Sequence, residues 1–172
     1  NERRISFAEI TSEKIVNYWD RINQVAKIHI LQFTFTYDND HVFGNYALKT
    51  ESSFSYQLVK LNHMLMERAL AFKNLFWIDL SSIQQKVGQD RFYDQRMYDI
   101  AKMPLTLEAL PEVAKGVLDV MKAIHGQLHK CVILDLDNTL WGGVIGDDGI
   151  ENIQIGELGQ GHAFTDFQRW LK

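Results

Sequence analysis

The chain has 172 residues, 46% hydrophobic and 23% charged, with a formal net charge of −4. That is the composition of a soluble globular protein of one or two domains. The absence of a basic run argues against nucleic acid as the main partner. No apolar stretch reaches the roughly 20 residues that cross a bilayer, and no signal-peptide pattern is present, so the expectation is a cytoplasmic protein without a membrane partner. A single cysteine, Cys131, rules out a disulfide framework or a thiolate zinc site within the chain. Its place in an apolar run suggests a buried, inert thiol.

The first 129 residues read as alternating helices and strands. Ser12 is a candidate cap for a helix running through Lys27, with Ile15, Tyr18, Trp19, Ile22 and Val25 on one face. Ile28 to Phe35 is β-rich and predicts a strand. A polar loop over 36–52 leads to a helix near Ser53 to Lys73 whose apolar stripe is Leu58, Leu61, Leu65, Ala69 and Phe72. Leu75 to Leu80 predicts a second strand, followed by a short helix that ends at Gly88. A further helix begins near Thr106, tolerates Pro111 early and ends at Gly126. Strands separated by helices imply a parallel α/β sheet.

Most histidines here are expected to be structural: His29 as a satisfied core residue, His41 as part of a polar loop with Asp38, Asn39 and Asp40. His125 and His129 stand four apart, but Gly126 ends the helix between them and no carboxylate or thiol is near in sequence, which disfavours zinc. Arg96 and Lys102 near Asp94 read as a surface ion pair rather than an anion site.

The most informative stretch is 130–146, where an apolar run leads into Asp135-Leu136-Asp137-Asn138-Thr139-Leu140-Trp141-Gly142-Gly143. On a strand, residues two apart share a face, so Asp135 and Asp137 start on the same side. Neighbouring carboxylates repel unless a cation lies between them. Such a pair at the carboxyl end of a strand suits a magnesium site and a carboxylate nucleophile. Thr139 orders the turn through its hydroxyl or is a simple turn-forming threonine. The glycines at 142, 143, 146, 149, 156 and 159 predict a tight turn and small hairpin rather than a helix. Trp141 and Ile145 either wall off water or lie in the core beneath the loop, and Asp147 and Asp148 read as solvated. From Gly161 the spacing of Ala163, Phe164, Phe167, Trp170 and Leu171 predicts a helix packed on the sheet.

The motif resembles the DxDxT signature of the haloacid dehalogenase (HAD) superfamily. Its extension through Gly146, Asp147-Asp148-Gly149-Ile150 and Gly161-His162-Ala163-Phe164 resembles subfamily IIIC and its FkbH-like members. That resemblance implies a Mg²⁺-dependent phosphohydrolase or phosphotransferase acting on a phosphorylated small molecule. It makes Asp135 the nucleophile and a metal ligand. Asp137 becomes the general acid/base, with its backbone carbonyl on the metal. Thr139, Gly142 and Gly143 complete the implied binding set, and the flap gates the site. Some members of the family transfer a glyceryl unit to an acyl carrier protein with loss of phosphate.

Residues 1–129 resemble the N-terminal domain that precedes the HAD domain in such proteins, itself similar to SGNH hydrolases. The resemblance lies in Leu61-Asn62, Trp77-Ile78-Asp79-Leu80, Phe92-Tyr93-Asp94-Gln95-Arg96 and Ala101-Lys102-Met103-Pro104. The implied fold is α/β: a three-layer, SGNH- or flavodoxin-like parallel sheet with flanking helices over 1–129. The first strand, flap and helix of a HAD-like Rossmannoid domain follow over 130–172. Met97 stands where an SGNH hydrolase has its catalytic histidine, which disfavours an esterase. A non-catalytic docking module for a carrier protein or sugar is the alternative for this part. The chain begins without methionine and reaches Lys172 before the remaining HAD segments. It therefore reads as an internal piece of a longer protein, with little activity expected in isolation.

Overall fold

The computed structural model describes residues 2–36 and 42–172. The chain divides into two compact units, Asn1–Gln127 and Leu128–Lys172.

The first unit is a mixed helix and strand fold around a small parallel sheet. Its elements are α1 (Glu2–Ile5), α2 (Phe7–Val25), β1 (Ile30–Phe33), α3 (Phe54–Ala69), β2 (Leu75–Ile78), α4 (Leu80–Val87), α5 (Gln95–Ala101) and α6 (Leu110–Ile124). Single 3-10 stretches occupy Gly44–Lys49 and Gln89–Arg91. β1 and β2 pair in parallel, Ile30 opposite Leu75 and Phe33 opposite Ile78. Side chains alternate across the pleat, so Ile30 and Gln32 share a face with Leu75 and Trp77. That face meets α2 and α3, where Ala8, Trp19, Leu58, Leu61, Leu65 and Ala69 make the core. The Trp19 ring meets Phe72 and Trp77 edge-on at 5.4 and 6.3 Å, and its indole N–H donates to Gln32 Oε1 at 3.1 Å. Ile78 points the other way, towards Gly116 of α6.

Local chemistry accounts for most boundaries. Ser53 caps α3 by accepting from Tyr56 N, and Asp79 caps α4 by accepting from the amides of Ser81 and Ser82. Gly88, at φ 92°, closes α4 in a conformation open chiefly to glycine. The Thr106 hydroxyl accepts from Ala109 N ahead of α6, Pro111 sits in its first turn and Gly126 follows its end at φ 70°.

Three expectations for this unit are corrected. The first long helix starts at Phe7, and Ser12 lies inside it, buried, its hydroxyl donating back to Glu9 O. The first turn is satisfied from outside: Ala8 N donates to Gln57 Oε1 on α3 at 2.9 Å. The buried line therefore runs Ala8, Ser12, Ile15, Trp19, Ile22, leaving Tyr18 and Val25 exposed. His29 precedes β1, is exposed, and meets the Phe76 ring edge-to-face at 5.5 Å rather than joining the core. Asp94 makes no ion pair with Arg96 or Lys102 among the described residues: it caps α5, while Lys102 lies 4.9 Å over the Tyr98 ring. The loop residues Asp38, Asn39, Asp40 and His41 lie outside the described residues.

The second unit holds a turn over 136–143, α7 (Ile145–Asp148) and α8 (Gly161–Leu171). The expected strand from Lys130 is absent among the described residues. No neighbour pairs with the run, Val132 and Ile133 are exposed, and Cys131 is exposed instead of buried. An apolar run becomes a strand only when another strand takes up its N–H and C=O groups. The expected hairpin exists as one antiparallel pair, Gly142 with Gln154, and contains the single helical turn α7. α8 forms as expected but packs on this flap rather than on a sheet. Its Gln168 side chain donates to Leu140 O at 2.6 Å, the Thr165 hydroxyl bonds both N and O of Gly156, and Trp170 is exposed.

Candidate functional site

The aspartate turn is built by short-range hydrogen bonds. Leu136 O accepts from the amides of Thr139 and Leu140. Asn138 adopts φ 54°, a left-handed conformation that asparagine tolerates better than most residues, and its Oδ1 accepts from Gly143 N at 2.9 Å. Asn138 N donates in turn to Gly143 O. Thr139, read either as ordering the turn through its hydroxyl or as a simple turn-forming threonine, supplies its N–H, and the side chains that tie the turn are Asp137, Asn138 and Asp148. The signal for Asn138 was its residue type at the turn.

The two aspartates differ in setting. Asp135 is exposed, and among the described residues its Oδ1 accepts only from the adjacent Leu136 N, at 2.8 Å. Asp137 is half-buried and held by two donors on Oδ1, the Trp141 indole N–H at 3.0 Å and Ile145 N at 3.3 Å. Trp141 is thus neither a plain core residue nor a detached wall: it orients Asp137. Asp147 and Asp148 are both exposed, as solvated residues are, and Asp148 Oδ2 also accepts from Val144 N at 2.8 Å. Gly142 is pinned by Gln154 and Phe164, either of which would lie 2.9 Å from a side-chain carbon placed there, and Gly143 needs its φ of 99°. Both glycines therefore shape the turn.

Magnesium takes hard oxygen ligands and keeps several waters, so a pair of carboxylates is a chemically suitable partial donor set. No cluster of three or more His, Cys, Asp or Glu able to hold a metal occurs among the described residues. His125 and His129 are both exposed and belong to no such cluster.

The first unit carries a trough beyond the carboxyl ends of β1 and β2, where ligands of open parallel sheets bind. It encloses about 680 Å³ and is mainly apolar, with Phe33, Phe35, Leu80, Tyr93, Tyr98 and Leu105 among its walls. Its floor is stapled by side chains. Asn62 of α3 brackets Phe35, donating to its O and accepting from its N, both at 2.8 Å. The Thr34 hydroxyl donates to Asp79 Oδ1 and accepts from Leu80 N, and the Thr36 and Tyr93 hydroxyls are hydrogen-bonded. These staples join segments far apart in sequence and left no sequence signal beyond the Asn62 and Asp79 residues themselves.

Residues 1–122 match the family of the FkbH N-terminal domain. The chain belongs to that family. A solved relative covers nearly all of it: the N-terminal part of the protein BF1531 from Bacteroides fragilis, a protein part containing a phosphatase domain and complexed with Mg. The two share 39% identity with a TM-score of 0.82 over 98% of this chain, which spans 44% of the relative's chain. No curated protein matches. In this FkbH N-terminal domain, Asp94 has both neighbouring amides on Oδ1 and no histidine three residues on. No helix among the described residues is long and apolar enough to cross a membrane.

Proposed function

We propose that the protein carrying this chain is a Mg²⁺-dependent phosphohydrolase or phosphotransferase of HAD subfamily IIIC, FkbH-like. Residues 1–129 would form its SGNH-like three-layer domain and 130–172 the opening of its HAD domain. The observation that carries this reading is the aspartate turn: an exposed Asp135 and an indole-oriented Asp137, in a stretch similar to a phosphatase-containing protein complexed with Mg.

In this reading an Asp135 oxygen attacks phosphorus in line and the bond to the leaving oxygen breaks as the aspartyl-phosphate forms. Asp137 gives its proton to that leaving oxygen. It then takes a proton from the water that attacks the aspartyl-phosphate, releasing phosphate and restoring Asp135. The hydrogen bonds from Trp141 and Ile145 to one Asp137 oxygen leave the other to carry the proton. Mg²⁺, held through Asp135 and Asp137 with Thr139, Gly142 and Gly143 shaping the loop, would neutralise charge on the phosphoryl oxygens.

Glyceryl transfer to an acyl carrier protein, in a cytoplasmic setting, is the narrower form of this proposal. The test is hydrolysis of an aryl phosphate by the full-length protein with Mg²⁺. Asp135→Asn abolishes turnover, and activity that survives the change removes Asp135 as nucleophile. The trough at the strand ends favours a second role for residues 1–129, docking a carrier protein or sugar without catalysis. An SGNH esterase is disfavoured by Met97 and by the capping duty of Asp94, and serine-directed fluorophosphonate should leave the full-length protein unlabelled.

A further inference from the structure

A second cavity of the first unit, which shares Phe54 with the trough, combines cations with aromatic walls. It holds about 470 Å³, within the usual range for small-molecule sites. Arg3 and Arg4 line it together with the rings of Phe7 and Phe54, whose centroids are 6.0 Å apart and tilted by 58°. None of its described lining residues is acidic, and neither arginine has an ion-pair partner among the described residues. Glu9 of α2 and Glu51 ahead of α3 both pair with Lys60.

The floor is already satisfied. The amide of Gln57 accepts from Ala8 N and donates to Glu51 O, and the Ser53 hydroxyl accepts from Tyr56 N and donates to Ala47 O. A ligand is therefore not needed to complete the floor, whose Ser53 and Gln57 side chains are buried and hydrogen-bonded, and the groups left to recognise one are the two guanidinium forks and the phenyl faces. Guanidinium matches phosphate and carboxylate oxygens in paired hydrogen bonds, and phenyl faces accept a flat apolar body.

We propose that this cavity binds a small organic anion with an aromatic or similarly flat body, an aryl phosphomonoester being the matching chemistry. Binding here is independent of the aspartate turn and involves no turnover.

The test is calorimetric titration of the full-length protein with phenyl phosphate in EDTA, which suppresses metal-dependent hydrolysis. Inorganic phosphate serves as the charge-only probe and phenol as the ring-only probe. Saturable phenyl phosphate binding is expected, weakened about tenfold or more in Arg3→Gln/Arg4→Gln, a loss matching removal of a charge-assisted contact. Both arginines are exposed, so the double variant is expected to fold, as circular dichroism would verify. Inorganic phosphate should bind more weakly and phenol not measurably. The arginine-dependent binding must persist in Asp135→Asn, which separates this cavity from the proposed catalytic site. No saturable binding, an unchanged affinity in the arginine variant, or a loss confined to Asp135→Asn would each overturn the proposal.

Discussion

Asn62 is the residue on which the exit from β1 depends. Its side chain reproduces a strand partner, accepting from Phe35 N and donating to Phe35 O, both at 2.8 Å, across 27 residues of sequence. Asn62→Ala deletes both bonds. Each is worth about 1 kcal/mol net, and Phe35 and Asn62 are half-buried, so water partly replaces what is lost; the expected cost is about 1–3 kcal/mol. With a urea slope of about 2 kcal/mol/M, the unfolding midpoint falls by roughly 0.5–1.5 M. Asn62→Asp is the sharper variant. It keeps the acceptor for Phe35 N but sets a carboxylate against Phe35 O, and should cost at least as much at neutral pH. Trp19 and Trp77, in or against the core, report unfolding by fluorescence, and hydrogen exchange reads the Phe35 amide directly. A loss under about 0.5 kcal/mol in both variants, with Phe35 exchange unchanged, refutes the staple.

Other expectations follow from single contacts. Gly161→Ala should destabilise the second unit by about 1–3 kcal/mol although alanine is the better helix former, because its Cβ would lie 2.7–2.9 Å from the Ile155 backbone; thermal melting decides the sign. Asn138→Ala loses both the left-handed tolerance and the bond to Gly143, for about 2 kcal/mol, whereas Asn138→Gly loses only the bond; faster exchange at Gly143 N marks both. The Lys60 ammonium holds the Glu9 carboxyl below the usual carboxylate range, and Glu9 raises Lys60. The Glu9 contribution is thus complete above its unfolded value and lost as pH falls through the lower folded one. That of Lys60 is complete below its ordinary value and lost as pH rises through the higher folded one. Glu9→Gln should therefore lower the melting temperature at pH 7, with the gap from wild type closing in acid; a gap constant from pH 7 to 3 contradicts this.

Features held by neighbours in the chain were legible in the sequence. Asp79, read as part of the second strand, caps α4 instead, but the α3 stripe through Ala69, the helix start at Ser53, the glycine stop at 88 and the two β-rich runs follow from periodicity and residue type, which the local residues carry within themselves. The aspartate turn was legible for the same reason. The start of α2 was not, because its first-turn amide is satisfied by Gln57 from another helix, and that contact also set which side of α2 is buried. Nor was the exposure of Cys131 to Ile133, since an apolar run shows its wish for burial but not whether a strand lies beside it. The sequence by itself determined the order α2, β1, α3, β2, α4, α6 in the first unit and the presence of a turn after Asp135. Only the tertiary structure decided what each apolar face meets, how Trp141 aims Asp137 and where the arginines and phenyl rings converge, because those depend on groups brought together from distant positions.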